Sequence, residues 1–136
     1  MRIGGVLIAV GFAVVASPAL ANAVLPIEGI FGTEDGCAFF MTGDPDLADI
    51  IVLTPDTFTA RGRGCYFVEM IDRIGDDIAI SAICHADMEM GSTSEVVRVI
   101  DNAPNGITVE LIGLGEYGPL FPCPGTEGLF RRGVQI

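Results

Sequence analysis

Four cysteines, Cys37, Cys65, Cys84 and Cys123, follow an N-terminal segment built like an export leader, and the two features together narrow what this chain can fold into. Met1-Arg2 is a short positive start. Ile3 to Ala16 is almost wholly apolar, and Ser17 to Ala23 is a small-residue tail with an A-x-A pattern ending at Ala23. That order is the signature of a secretory signal peptide. We therefore expect residues 1–23 to be removed and residues 24–136 to mature as a single β domain, periplasmic or secreted. The apolar run is barely long enough to cross about 30 Å of hydrocarbon. Pro18 and the small tail favour cleavage over anchoring. In an oxidising compartment, four cysteines in a short chain read as structural disulfides. No two have the C-x-x-C spacing of a redox or zinc motif.

Charge excludes whole classes of partner. All seven basic residues are arginine, against 18 carboxylates, for a formal net charge of −11. Such a chain repels nucleic acid and anionic lipid. No nucleic-acid or membrane partner is expected once the leader is gone. The absence of lysine removes Schiff-base and P-loop lysine chemistry.

The pattern along the chain is short strands between Gly/Pro turns, with no convincing helical period. This predicts an all-β fold, a small antiparallel β-barrel or sandwich of about seven to eight strands. Cys37 to Met41 reads as a strand, as does Ile50 to Thr54. Arg61-Gly62-Arg63-Gly64 reads as a flexible loop. Cys65–Ile71 and Ile78–His85 read as a hairpin around Gly75, Asp76 and Asp77. Glu95–Asp101 and Ile107–Ile112 form a second hairpin around Ala103-Pro104-Asn105-Gly106. Pro104-Asn105-Gly106 suits a three-residue loop, which pairs Ala103 with Ile107 and Val99 with Leu111. Val97, Val99, Ile107, Val109 and Leu111 then share one face. From Gly113 to Gly128 the chain reads as loop, and Leu129 to Arg132 as a short closing strand.

Four cysteines allow three pairings, and sequence alone does not choose among them. The first hairpin favours one. Setting Ile71 opposite Ile78 sets Cys65 opposite Cys84, within reach of a bridge. Cys37–Cys123 would then join the first strand to the last loop, a closure worth about 4–5 kcal/mol in the chain-entropy model. Cys37–Cys65 with Cys84–Cys123 is the second choice. The same register puts Glu69 on the face of Phe67. Glu69 then marks an internal polar site, sits at a barrel mouth, or belongs to the other face; an unpaired buried carboxylate costs several kcal/mol.

Few motifs carry chemistry. His85, Asp87 and Glu89 would share a face if their strand continued and could hold a divalent metal, while His85 with Met88 and Met90 offers a softer site suited to Cu(I). Asp44-Pro45-Asp46 lacks calcium-loop spacing. Gly113 to Gly118 matches G-x-G-x-x-G, but prolines follow where a dinucleotide fold needs a helix. Arg61-Gly62-Arg63 is too small a basic patch for nucleic acid. No nucleophile elbow or Ser-His-Asp set is present.

Gly29-Ile30-Phe31-Gly32 and Phe130-Arg131 are similar to the lipocalin-like plan, in which G-x-W opens the first strand and a late Arg packs over the Trp; here Phe31 stands for Trp. The order Gly29, Phe31, Cys37, Pro55-Asp56, Cys65, Cys84, Cys123 resembles small exported bacterial four-cysteine proteins of unassigned function. Small bacterial metalloprotease inhibitors share the barrel plan. None of these resemblances supplies a catalytic residue. The sequence leads us to expect a monomeric, non-enzymatic, cofactor-free module for a protein partner, acting in one form as an inhibitor. Its contact surface is expected around Ile30 and Phe31 and along Tyr117 to Phe121, including Leu120. The alternative is metal handling through His85.

Overall fold

The computed structural model describes residues 23–86 and 91–129, with Gly5 and Gly11. Eight antiparallel strands close into a barrel in which each strand pairs with its sequence neighbours and the last returns to the first. They are β1 (Phe31–Gly32), β2 (Ile51–Leu53), β3 (Thr57–Ala60), β4 (Arg63–Ile74), β5 (Asp77–Ala86), β6 (Thr93–Asp101), β7 (Ile107–Leu111) and β8 (Gly115–Pro122). A short helix, α1 (Glu34–Thr42), lies between β1 and β2. Closure removes the exposed edges that make small sheets prone to aggregate. At eight strands, the interior is just wide enough to be filled by side chains. Here Phe58, Phe67, Ile80, Val97, Val109, Leu111 and Leu120 fill it, all with no exposure.

The Cys37–Met41 strand expected from sequence is instead helical. Thr33 is the N-cap and accepts a hydrogen bond from the Gly36 N–H, Glu34 and Asp35 occupy the first turn, and Gly43 ends the helix in the left-handed region at φ 71°. These are the chain's helix-start and helix-stop signals. They outweigh the β preference of Cys37, Phe39 and Phe40. Thr57–Ala60, given no assignment from sequence, is a strand. Two other segments differ from the expectation. Arg63 and Gly64 open β4 after a two-residue turn, Arg61-Gly62. Gly115–Pro122 is a strand in spite of its glycines and prolines. Pro119 is accommodated there because the β7–β8 ladder is irregular between Ile107 and Val109, so a missing N–H breaks no regular rung.

The first hairpin reaches the expected pairing by another route. Ile74 lies opposite Asp77, a register that would set Cys65 against Ala86. Two bulges, one at Val68 and one at Ile71, each add a residue to β4 and bring Cys65 opposite Cys84. The same bulges resolve Glu69: the alternation breaks after Phe67, and Glu69 is exposed. The second hairpin has the expected inner face, with Val97, Val99, Ile107, Val109 and Leu111 all buried. Its register differs by two residues, with Val99 opposite Val109 and Asp101 opposite Ile107, around a loop from Asn102 to Gly106. A shift of two preserves every face, so burial alone could not have separated the two registers.

Both favoured disulfides are present. Cys65–Cys84 crosses adjacent strands inside the barrel core, with Cα atoms 4.0 Å apart. Cys37–Cys123 joins α1 to the segment after β8, with Cα atoms 5.3 Å apart. Two such bridges point to an oxidising, extracytoplasmic environment. Among the described residues, no helix is long and apolar enough to cross a membrane.

Candidate functional site

Helix α1 is held on the outside of the barrel, and what it leaves open is the candidate site. Thr33 carries the β1–β2 pairing one residue past β1. Its N–H donates to the Ile51 carbonyl (3.1 Å), and its Oγ1 accepts from the Ile51 N–H (3.3 Å) and donates to the Asp49 carbonyl. The Asp35 carboxylate accepts from the Asp49 N–H at 2.9 Å. Gly36 then lies so close to β2 that a Cβ built on it would stand 2.0 Å from the Ile51 carbonyl oxygen. Only glycine allows that approach.

On the other side, Cys123 is part of a small second core outside the barrel wall, with Ile30 and Val52 fully or nearly buried and Phe39, Ile50 and Leu129 packed around them. Buried Thr126 fixes this corner. Its hydroxyl donates to the Cys123 carbonyl (2.7 Å) and accepts from the Ile30 N–H (3.1 Å). The Cys123 N–H donates to the Ile30 carbonyl at 2.7 Å. Helix, bridge and corner therefore form one unit.

Between α1 and β8 runs an apolar cleft of about 700 Å³. Ala38 and Met41 line it from the helix, Pro119, Phe121 and Pro122 from β8, and Pro124 from the segment beyond. Met41 is 66% and Phe121 49% exposed. The volume falls in the range of small-ligand and side-chain-accepting pockets. Exposed apolar side chains on the rim of a concavity make this cleft the candidate contact surface. Thr33 and Glu34 provide polar groups in the lining.

The residues singled out from sequence fall in different places. Phe121 is on the cleft. Ile30 and Leu120 have no exposure and offer nothing to a partner: Ile30 belongs to the second core, and Leu120 points into the barrel. Phe31 and Tyr117 are half-buried against the main core, with Tyr117 edge-to-face on Phe58 at 5.4 Å. Ile30 and Leu120 thus leave the expected contact surface, and of its residues Phe121 stays on the candidate cleft. Ala38 and Met41 join it, missed because their segment was read as a strand. His85 is exposed on β5 and stacks on Tyr66 at 5.9 Å. Asp87, Met88, Glu89 and Met90 lie outside the described residues, as do Phe130, Arg131 and Arg132 of the expected closing strand. Among the described residues, no group of three or more His, Cys, Asp or Glu could hold a metal ion. The glycines of the G-x-G-x-x-G match serve the β7–β8 loop and β8 itself.

One titratable group near the barrel wall is clearly perturbed. The hydrogen bond from Arg98 to Asp77 (2.8 Å), and then the charge of Asp77, hold the guanidinium above its ordinary pKa; Glu110 adds to this at 3.8 Å. This exposed network ties β5, β6 and β7 together and lies outside the cleft.

No protein-family model, curated protein or solved structure matches this chain.

Proposed function

We propose that this is an exported, non-enzymatic binding module, cut after Ala23 and released to the periplasm or the medium, which recognises a protein partner through the α1–β8 cleft. The cleft carries the reading. It is apolar, open and flanked by a disulfide-anchored helix, so little order has to be gained when a partner docks. Leu25 is buried with its N–H on the Pro55 carbonyl, and Ala23, at the expected cut, packs on the main core with its N–H on the Val68 carbonyl (3.2 Å), so the folded body reaches the cut itself. A net charge of −11 and Glu34 in the lining favour a partner segment that is apolar at its centre and basic at its flanks.

Photo-crosslinking tests this. Benzoylphenylalanine introduced at position 121 of the oxidised protein should capture a discrete protein from the exported fraction. Met41→Glu on the same chain should abolish capture, and excess unmodified protein should compete. The same probe at exposed Ser94 on β6 should capture nothing. Equal capture from position 94, or capture unaffected by Met41→Glu, would remove the cleft from the account.

A further inference from the structure

On the other side of α1 lies a second cleft, of about 490 Å³, whose chemistry is unlike the first. Phe39 of α1 and Leu47 and Ile50 of the following segment line it with apolar groups. Thr59 and Gly64, directly paired across β3 and β4, also line it. Arg61 and Arg63, on either side of Gly62 at the β3–β4 turn, supply the positive charge. The described residues include four arginines, and two of them meet here, in a chain of net charge −11.

We propose that this cleft binds a small amphiphilic carboxylate, its anionic end on Arg61 and Arg63 and its apolar body against Phe39, Leu47 and Ile50. The two guanidinium groups match a carboxylate in shape as well as charge. Arg61 uses one of its five donors on Asp49, at 3.3 Å, in an exposed pair that offsets part of its charge and leaves the other donors, with all of Arg63, for a ligand. Carboxylates elsewhere on the surface are screened beyond about 8 Å at physiological salt, so a small anion feels the arginines first; a polyanion spans the acidic surroundings as well and is repelled. The cleft volume suits a ligand of a few apolar carbons or one or two side chains.

Two features of the chain match this use. Arg61 is the one non-glycine residue with positive φ among those described, at 27°. Asn or Gly suits that turn position better, and Arg61 holds it at some cost in backbone strain. Gly64, by contrast, has no unusual φ, and a Cβ placed on it would meet nothing within 4 Å. Its missing side chain leaves part of the cleft open.

The carboxylate could come from a free fatty acid or from the C-terminus of an apolar peptide, and titration by NMR of the oxidised protein distinguishes them. The probes are octanoate and N-acetyl-Leu-Phe; octanol and N-acetyl-Leu-Phe-amide are the uncharged controls. At least one acid should saturate below about 5 mM, with its uncharged control failing to saturate. The acid that binds more tightly identifies the source. Arg63→Gln should weaken binding about tenfold, and added salt should weaken it further. Gly64→Leu should block it by filling the cleft while leaving the melting temperature within a few degrees of the parent. Three results would each overturn the proposal: neither acid saturating, the uncharged controls binding equally well, or full binding by a folded Gly64→Leu chain.

Discussion

Gly36→Ala separates two physical expectations of opposite sign. Helix propensity alone makes alanine better than glycine by about 0.5–1 kcal/mol. In this structure the added methyl would stand 2.0 Å from the Ile51 oxygen and 2.7 Å from the Ile51 carbonyl carbon, both backbone atoms of β2. Neither can rotate away, so α1 must retreat by about 1.5 Å to restore an ordinary contact. Such a retreat stretches the Thr33–Ile51 bond (3.1 Å) and the Asp49–Asp35 bond (2.9 Å) past useful length. It also pulls against Cys37–Cys123, which fixes the far side of the helix. Loss of two hydrogen bonds with imperfect repacking costs about 2–3 kcal/mol, more than the propensity gain. The oxidised variant should unfold at lower denaturant than the parent, with a melting point about 10 °C lower. Gly43→Ala, at the open C-cap with φ 71°, should lose less, about 1 kcal/mol. A Gly36→Ala chain as stable as the parent would refute the close docking of α1 on β2, and with it the geometry of both clefts.

Three more expectations are open to measurement. Replacing both cysteines of each bridge by alanine in turn, then comparing denaturant midpoints, should show a larger loss for Cys37–Cys123, which closes a sequence separation of 86, than for Cys65–Cys84, at 19. The chain-entropy model gives about 4–5 against about 3 kcal/mol. Thr126→Val leaves the buried Ile30 N–H without its acceptor and should lower unfolding free energy by about 1–3 kcal/mol in equilibrium denaturation. Phe121→Glu, at an exposed site, should leave stability within about 0.5 kcal/mol by the same assay, and the variant in excess should fail to compete with the position-121 probe for the captured partner.

Much of the barrel was legible because burial enforces period two. Val97, Val99, Ile107, Val109 and Leu111 declare an inner face wherever the ladder is set, but Cys65 opposite Cys84 was reached from an assumed Ile71–Ile78 pairing, whereas Ile78 lies opposite Arg73 and two bulges restore the cysteine register. Register itself was less legible. The β4 bulges at Val68 and Ile71 leave no composition signal, and a two-residue slip between β6 and β7 changes no face. The helix was hidden by its own packing face: Cys37 and Phe39 turn toward the barrel wall and look like strand residues, while the capping pattern Thr33, Glu34, Asp35 and Gly43 carried the information. Of the candidate cleft, only Phe121 could be read directly. Ile30 and Leu120 are as apolar as Met41, and only the fold decides which of them faces solvent.

The Cys37–Cys123 bridge ties α1 to the segment after β8, and it needs the oxidising compartment that export would supply. Non-reducing peptide mapping, with intact mass, of the protein recovered from the exported fraction tests this most directly. It should show a chain beginning at Val24, Cys37 joined to Cys123, Cys65 joined to Cys84, and no free thiol. A full-length product with reduced cysteines, or Cys37 joined to Cys65, would contradict it.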